Sequence, residues 1–131
     1  MSVGLLDHYN VKTGDLAATV SFYENVLGLE NGERPNFAFP GAWMYSEGQA
    51  VLHLIDISGT DETPSTNTGC IDHIAFVSKG FEAMKSHLEA GNFEYESRIV
   101  PGGKLWQIFV RDPNGVLIEL NYQAANEQAA A

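Results

Sequence analysis

The sequence predicts an α+β fold: two βαβββ modules joined into a curved, mixed, mostly antiparallel sheet with the helices on its outer face. Three observations lead there. The first is an internal repeat, because Leu6-Asp7-His8 returns as Ile71-Asp72-His73, 65 residues later. The same offset pairs Thr13 with Ser78, Leu16 with Phe81, Ser21 with Ser86 and Glu24 with Glu89, and a period of this kind decides the architecture. The second is the order within each copy, where one strand-like run precedes one amphipathic helix and three further strand-like runs. The third is size: half of 131 residues carries too little apolar area to fold alone, so the halves are expected to pack as a single domain.

In module one, residues 5–57, Leu5 to Lys12 reads as a strand and Asp15 to Leu27 as a helix, with Leu16, Val20, Tyr23 and Leu27 at helical spacing. Thr13 or Asp15 can cap that helix and Gly28 ends it. Strand-like runs follow at Arg34 to Phe39, Ala42 to Ser46 and Ala50 to Ile57, separated by Pro40-Gly41 and Glu47-Gly48. Residues 58–69 (SGTDETPSTNTG) are polar, rich in turn formers and read as a linker. Module two, residues 70–121, repeats the order. A strand at Cys70 to Val77 precedes a helix at Gly80 to Ala90, and strands follow at Phe93 to Ile99, Leu105 to Arg111 and Val116 to Asn121. Asp112-Pro113-Asn114-Gly115 is a tight turn that positions the last strand. Residues 122–131 read as a frayed tail.

Composition narrows the function. The net charge of −10 repels phosphate backbones and anionic bilayers, so nucleic acid and membranes are unexpected partners. Cys70 is the single cysteine, which excludes an intrachain disulfide and a thiolate cluster. There is no basic stretch followed by an apolar run near Met1 and no apolar segment long enough to span a bilayer, so the expected location is cytoplasmic.

The repeat also places His8, His53, His73 and Glu119 at equivalent points, since Val51-Leu52-His53-Leu54 falls on Leu117-Ile118-Glu119-Leu120 with one residue of slippage. Side chains alternate along a strand, so His8 shares a face with Asn10, and Glu119 with Asn121. Three imidazoles and a carboxylate suit a borderline divalent ion, Ni, Zn, Mn or Fe. A lone histidine in an apolar strand is usually a packed residue, but Glu119 inside an apolar run needs a cation to offset its burial. Trp43, Arg98, Trp106 and Phe109 are the candidate substrate contacts, drawn from the third strands and the loops and strands beside them. The fourth histidine, His87, is expected to be solvated on the second helix.

With paired modules, Asp-His in both first strands, Arg111-Asp112-Pro113-Asn114-Gly115 and then Leu117-Ile118-Glu119-Leu120, the chain resembles the vicinal oxygen chelate superfamily over about residues 5 to 121. That group includes glyoxalase I, methylmalonyl-CoA epimerase, fosfomycin-resistance enzymes, extradiol dioxygenases and bleomycin-resistance proteins. The resemblance implies that His8, His73 and Glu119 are metal ligands. His53 falls where bacterial glyoxalase I has a second metal-bound glutamate, so the set departs from that pattern. Glu119 would remain as the catalytic base. Extradiol dioxygenases carry a tyrosine ten residues before the final glutamate, where this chain has Phe109. Bleomycin-resistance proteins generally lack the ligands that are present here.

The reading that results is a divalent-metal-dependent, glyoxalase-like lyase or isomerase. It would act on a small oxygenated metabolite, or its thiol adduct, through bidentate oxygen chelation. The alternatives are an iron(II)-dependent extradiol-type dioxygenase, or a protein that sequesters a small molecule. A two-fold homodimer is expected, because the sheet edges need cover.

Overall fold

In the computed structural model, which describes residues 1–129, the chain forms two compact units, Met1–Ser65 and Thr66–Ala131, divided inside the expected linker. Hydrogen bonding pairs strands within each module, so the mixed sheet is realised as two four-stranded sheets.

The first unit holds β1 (Tyr9–Thr13), α1 (Leu16–Asn25), β2 (Glu30–Gly32), β3 (Gly41–Ser46) and β4 (Gln49–Asp56), in sheet order β1-β4-β3-β2. β1 runs parallel to β4 and the other neighbours are antiparallel. Asp15 caps α1 by accepting from Ala18 N at 3.0 Å, which satisfies one of the donors a helix start leaves open. Val11, Ala42, Met44, Leu52 and Leu54 are buried with Phe22 and Tyr23 of α1. The Thr13 and Thr19 hydroxyls meet at 3.0 Å in that layer. The alternate positions Asn10, Trp43 and His53 therefore point away from the helix.

The second unit repeats the plan with β5 (Ile74–Ser78), α2 (Phe81–Ala90), β6 (Tyr95–Ile99), β7 (Leu105–Arg111) and β8 (Leu117–Gln123), in sheet order β5-β8-β7-β6. Ile108, Val110, Ile118, Leu120 and Tyr122 are buried with Phe81 and Leu88 of α2. Gln107, Phe109, Glu119 and Asn121 take the other face. The Asp112 turn works as expected, with its carboxylate accepting from Asn114 N at 2.7 Å and Val116 N at 2.9 Å. Gly115 is needed there twice over: its φ is +85°, and a Cβ would lie 2.0 Å from the Thr66 carbonyl oxygen.

Three expectations change. The run Arg34 to Phe39 is a loop, and the strand lies earlier, at Glu30–Gly32. Pro35 and Pro40 cannot donate to a ladder, and Arg34 Nη2 closes the loop on the Phe39 carbonyl at 2.9 Å. The tail is not frayed as far as it is described. β8 runs to Gln123, α3 (Ala124–Ala129) follows, and Tyr122 and Ala124 are buried. Residues 130–131 lie outside the described residues. Finally, His8 and His73 each stand one residue before a strand rather than inside it.

Candidate metal centre

Each module brings two of the four predicted ligands together. In the first unit, Asp7 Oδ2 lies 2.6 Å from His8 Nδ1. The His8 ring stacks on His53 with centroids 3.6 Å apart and planes at 16°. Trp43, the β3 neighbour of His53, stacks on it at 3.9 Å and 7°, so His53 is sandwiched between the two rings. Burial, and then the neighbouring His8 imidazole, push the His53 pKa down. That favours the neutral ring, which is the form that binds metals.

In the second unit Asp72 Oδ2 lies 2.8 Å from His73 Nδ1. This hydrogen bond is the main reason the His73 pKa is raised, and the Glu119 charge adds to it against the opposing effect of burial. His73 Nε2 sits 3.7 Å from Glu119 Oε1. Glu119 is 7% exposed, and its other oxygen, Oε2, accepts from Asn121 Nδ2 at 2.9 Å. Asn121 Oδ1 in turn accepts from Gln107 Nε2 at 2.9 Å, and Gln107 Oε1 accepts from Arg98 Nε at 2.6 Å.

The donor chemistry fits a metal. A histidine whose Nδ1–H is held by a carboxylate presents Nε2 outward in a fixed tautomer, which is the usual arrangement behind a coordinating imidazole. Both Asp-His pairs have it. Among the described residues no group of three or more His, Cys, Asp or Glu side chains is assembled; the pairs are His8 with His53, and His73 with Glu119.

The substrate-contact candidates divide. Trp43 lies on the His53 face, and Phe109 is the cross-strand neighbour of Glu119. Arg98 stacks over the Phe109 ring, 5.3 Å from its centroid. A cavity of about 960 Å³ runs along this part of the second unit, lined by residues that include Tyr95, Arg98, Phe109, Arg111 and Leu117. Trp106 is a correction. It lies three residues before Phe109 and so points to the opposite face, where it packs edge-on against Phe81 at 5.2 Å. That spacing was visible in the sequence. Gln107 and Asn121 were missed as parts of the site; Asn121 was legible as sharing the Glu119 face, but its partner required the β7–β8 register. Among the described residues no helix is long and apolar enough to cross a membrane.

Comparison with known proteins agrees with this architecture. A sequence model of the Glyoxalase/Bleomycin resistance protein/Dioxygenase superfamily matches residues 5–120. A lactoylglutathione lyase of Escherichia coli O157:H7 is 36% identical over 123 residues, covering 86% of this chain and 88% of that protein. One from Haemophilus influenzae is 31% identical over 123 residues, with 86% and 87% covered. The solved structure of a lactoylglutathione lyase from Agrobacterium tumefaciens superimposes with a TM-score of 0.69 at 19% identity, over 93% of this chain and 96% of that one; at that identity the likeness speaks for the fold. With the match spanning nearly the whole chain and relatives above 30% identity, the protein belongs to the Glyoxalase/Bleomycin resistance protein/Dioxygenase superfamily.

Proposed function

We propose that the protein is a metal-dependent, glyoxalase-type lyase acting on a thiol adduct of the lactoylglutathione kind. His8, His73 and Glu119, with His53 as a further ligand, would supply the donors for divalent-metal binding, with Ni, Zn, Mn or Fe as the ion. The observation that carries this reading is the repeated pair: in each unit an Asp-anchored histidine meets the equivalent central-strand residue, His53 at 3.6 Å between ring centroids and Glu119 at 3.7 Å. The lactoylglutathione lyases among its relatives supply the substrate class.

When bound, the ion would supply Lewis-acid stabilisation of the charge that develops on two neighbouring substrate oxygens. The chain's own part is the proton. Glu119 Oε1 is the oxygen turned to His73 while Asn121 holds Oε2. A carboxylate so placed takes a proton from one oxygen-bearing carbon and returns it to the next. Trp43 and Phe109 supply apolar walls beside the two pairs. His53, kept neutral, either coordinates or carries a proton. Phe109 stands where a ring-cleaving relative would need a phenol, so proton transfer suits this site better than oxygenation.

The test is Glu119→Gln, which keeps the shape and removes the charge. Affinity for Ni(II) or Co(II) should drop by at least about tenfold, the scale on which metal sites respond to losing even indirect partners, and turnover of the thiol adduct should be lost. Full metal affinity and full turnover in Glu119→Gln would reject the site.

A further inference from the structure

Glu119 is held by a line of side chains whose ends fix its direction. An arginine guanidinium only donates, and an ionised carboxylate only accepts. Arg98 Nε lies 2.6 Å from Gln107, so Gln107 must turn its carbonyl oxygen to Arg98 and its amide nitrogen to Asn121. Asn121 must then accept on Oδ1 and donate from Nδ2, which it does to Glu119 Oε2 at 2.9 Å. Either amide reversed alone would set donor against donor or oxygen against oxygen. Gln107 is 5% exposed, and a mismatch away from water is costly. Module one offers a comparison, because the positions equivalent to Gln107 and Asn121 are Gly41 and Ile55, paired across β3 and β4 in the same way. The polar line occurs only in the module where a carboxylate takes the place of the imidazole.

We infer that Arg98, Gln107 and Asn121 form a one-way donor chain that commits Glu119 Oε2 and leaves Oε1 as the single oxygen available to a metal or to proton transfer. The inference rests on the metal-centre reading above. It makes Arg98 a positioning residue acting through two amides, not a substrate clamp. A carboxylate pinned in this way cannot swing to present both oxygens, so Glu119 would offer a metal one oxygen and keeps a fixed direction toward His73.

Co(II) titration of the full chain, followed by visible absorption, tests this with Arg98→Met, Arg98→Lys, Asn121→Ala and Glu119→Gln. Loss of a partner behind a ligand typically weakens metal binding about 10-fold or more. Asn121→Ala should show that loss with an altered absorption band, and Arg98→Met should weaken binding by about three- to tenfold on the same scale. Arg98→Lys, still a donor, should stay within about twofold of the parent. The sign discriminates, since removing a positive charge by itself strengthens cation binding; weaker binding in Arg98→Met must come through the chain. Arg98 is exposed, and melting of the metal-free variants checks that they fold. If Arg98→Met binds equally or more tightly, if Arg98→Lys loses as much as Arg98→Met, or if Asn121→Ala is unchanged, the inference is overturned. Undiminished binding in Glu119→Gln would overturn the metal reading itself, whereas loss there with parent-like chain variants removes only the donor chain.

Discussion

Replacing Glu127 with alanine should loosen the start of α2, a helix that has no cap of its own. Its N-cap, Gly80, sits at φ 87° with no side chain to accept from the first turn. Glu127, from α3, does that work at a distance of 47 residues: its carboxylate accepts from Gly80 N at 2.7 and 3.1 Å and from Phe81 N at 2.9 Å. Losing a capping side chain costs about 1 kcal/mol, and losing a negative charge at a helix N-terminus about 0.5 kcal/mol more. With an unfolding entropy of about 2 cal/mol/K per residue, 1.5 kcal/mol lowers Tm by about 5 °C if the whole chain melts together and about 10 °C if the second unit melts by itself. Circular dichroism melts of the parent, Glu127→Ala and Glu127→Gln measure this, and Glu127→Gln should fall between the other two because it still accepts but lacks the charge. Trp106 emission provides a local readout, since Phe81 packs on both Trp106 and Tyr122. A Glu127→Ala protein that melts within about 1 °C of the parent would refute the capping argument, because that is less than the smallest cap loss allows.

Other outcomes follow from the same contacts. Tyr122 is fully buried, its hydroxyl makes no hydrogen bond of normal geometry among the described residues, and burial, then the Glu127 charge, push its pKa up to about 12 against a weaker hydrogen-bonding effect of the Ser78 side chain. A raised phenol contributes stability that is intact below the unfolded value of about 10 and lost as pH rises through the folded value. Tyr122→Phe should therefore match or exceed the parent at pH 7 and gain on it in melts above pH 10; a loss of more than about 1 kcal/mol at pH 7 would show that the hydroxyl is bonded after all. His53→Ala should change the Co(II) spectrum if His53 coordinates, whereas an unchanged spectrum with lost turnover makes it a proton carrier or substrate contact. Trp43 emission should respond to metal in the parent through its 3.9 Å stack on His53, and a flat response would count against ligation at His53. For the proposed homodimer, light scattering at micromolar concentration should give twice the chain mass. If each centre draws on two chains, mixing inactive His8→Ala and Glu119→Gln proteins should restore activity after subunit exchange, whereas centres built within one chain stay inactive.

What the sequence alone determined is what local periodicity and repetition can encode. The 65-residue offset from His8 to His73 exposed two modules and, with one residue of slippage, the equivalence of His53 with Glu119, and alternation along a strand placed Asn121 beside Glu119. Spacing of 3.6 located the first two helices, because one buried stripe shows up whatever it packs against. The same local rule, applied to the three-residue gap between Trp106 and Phe109, would have separated them. Tertiary structure decided what depends on a partner far along the chain. The loop at 34–39 needed Arg34 to reach Phe39, and the C-terminal helix is tied down by contacts from Glu127 to Gly80 and from Ala124 N to the Lys104 carbonyl. The line from Arg98 through Gln107 and Asn121 to Glu119 crosses β6, β7 and β8. Each of its links is set by cross-strand register, and slipping one strand by a residue would turn its side chains to the other face. Register comes from turns and buried faces acting together, so residue types and spacing named the candidate ligands, and only the folded sheet shows that Asn121 holds Oε2 of Glu119 while Oε1 faces His73.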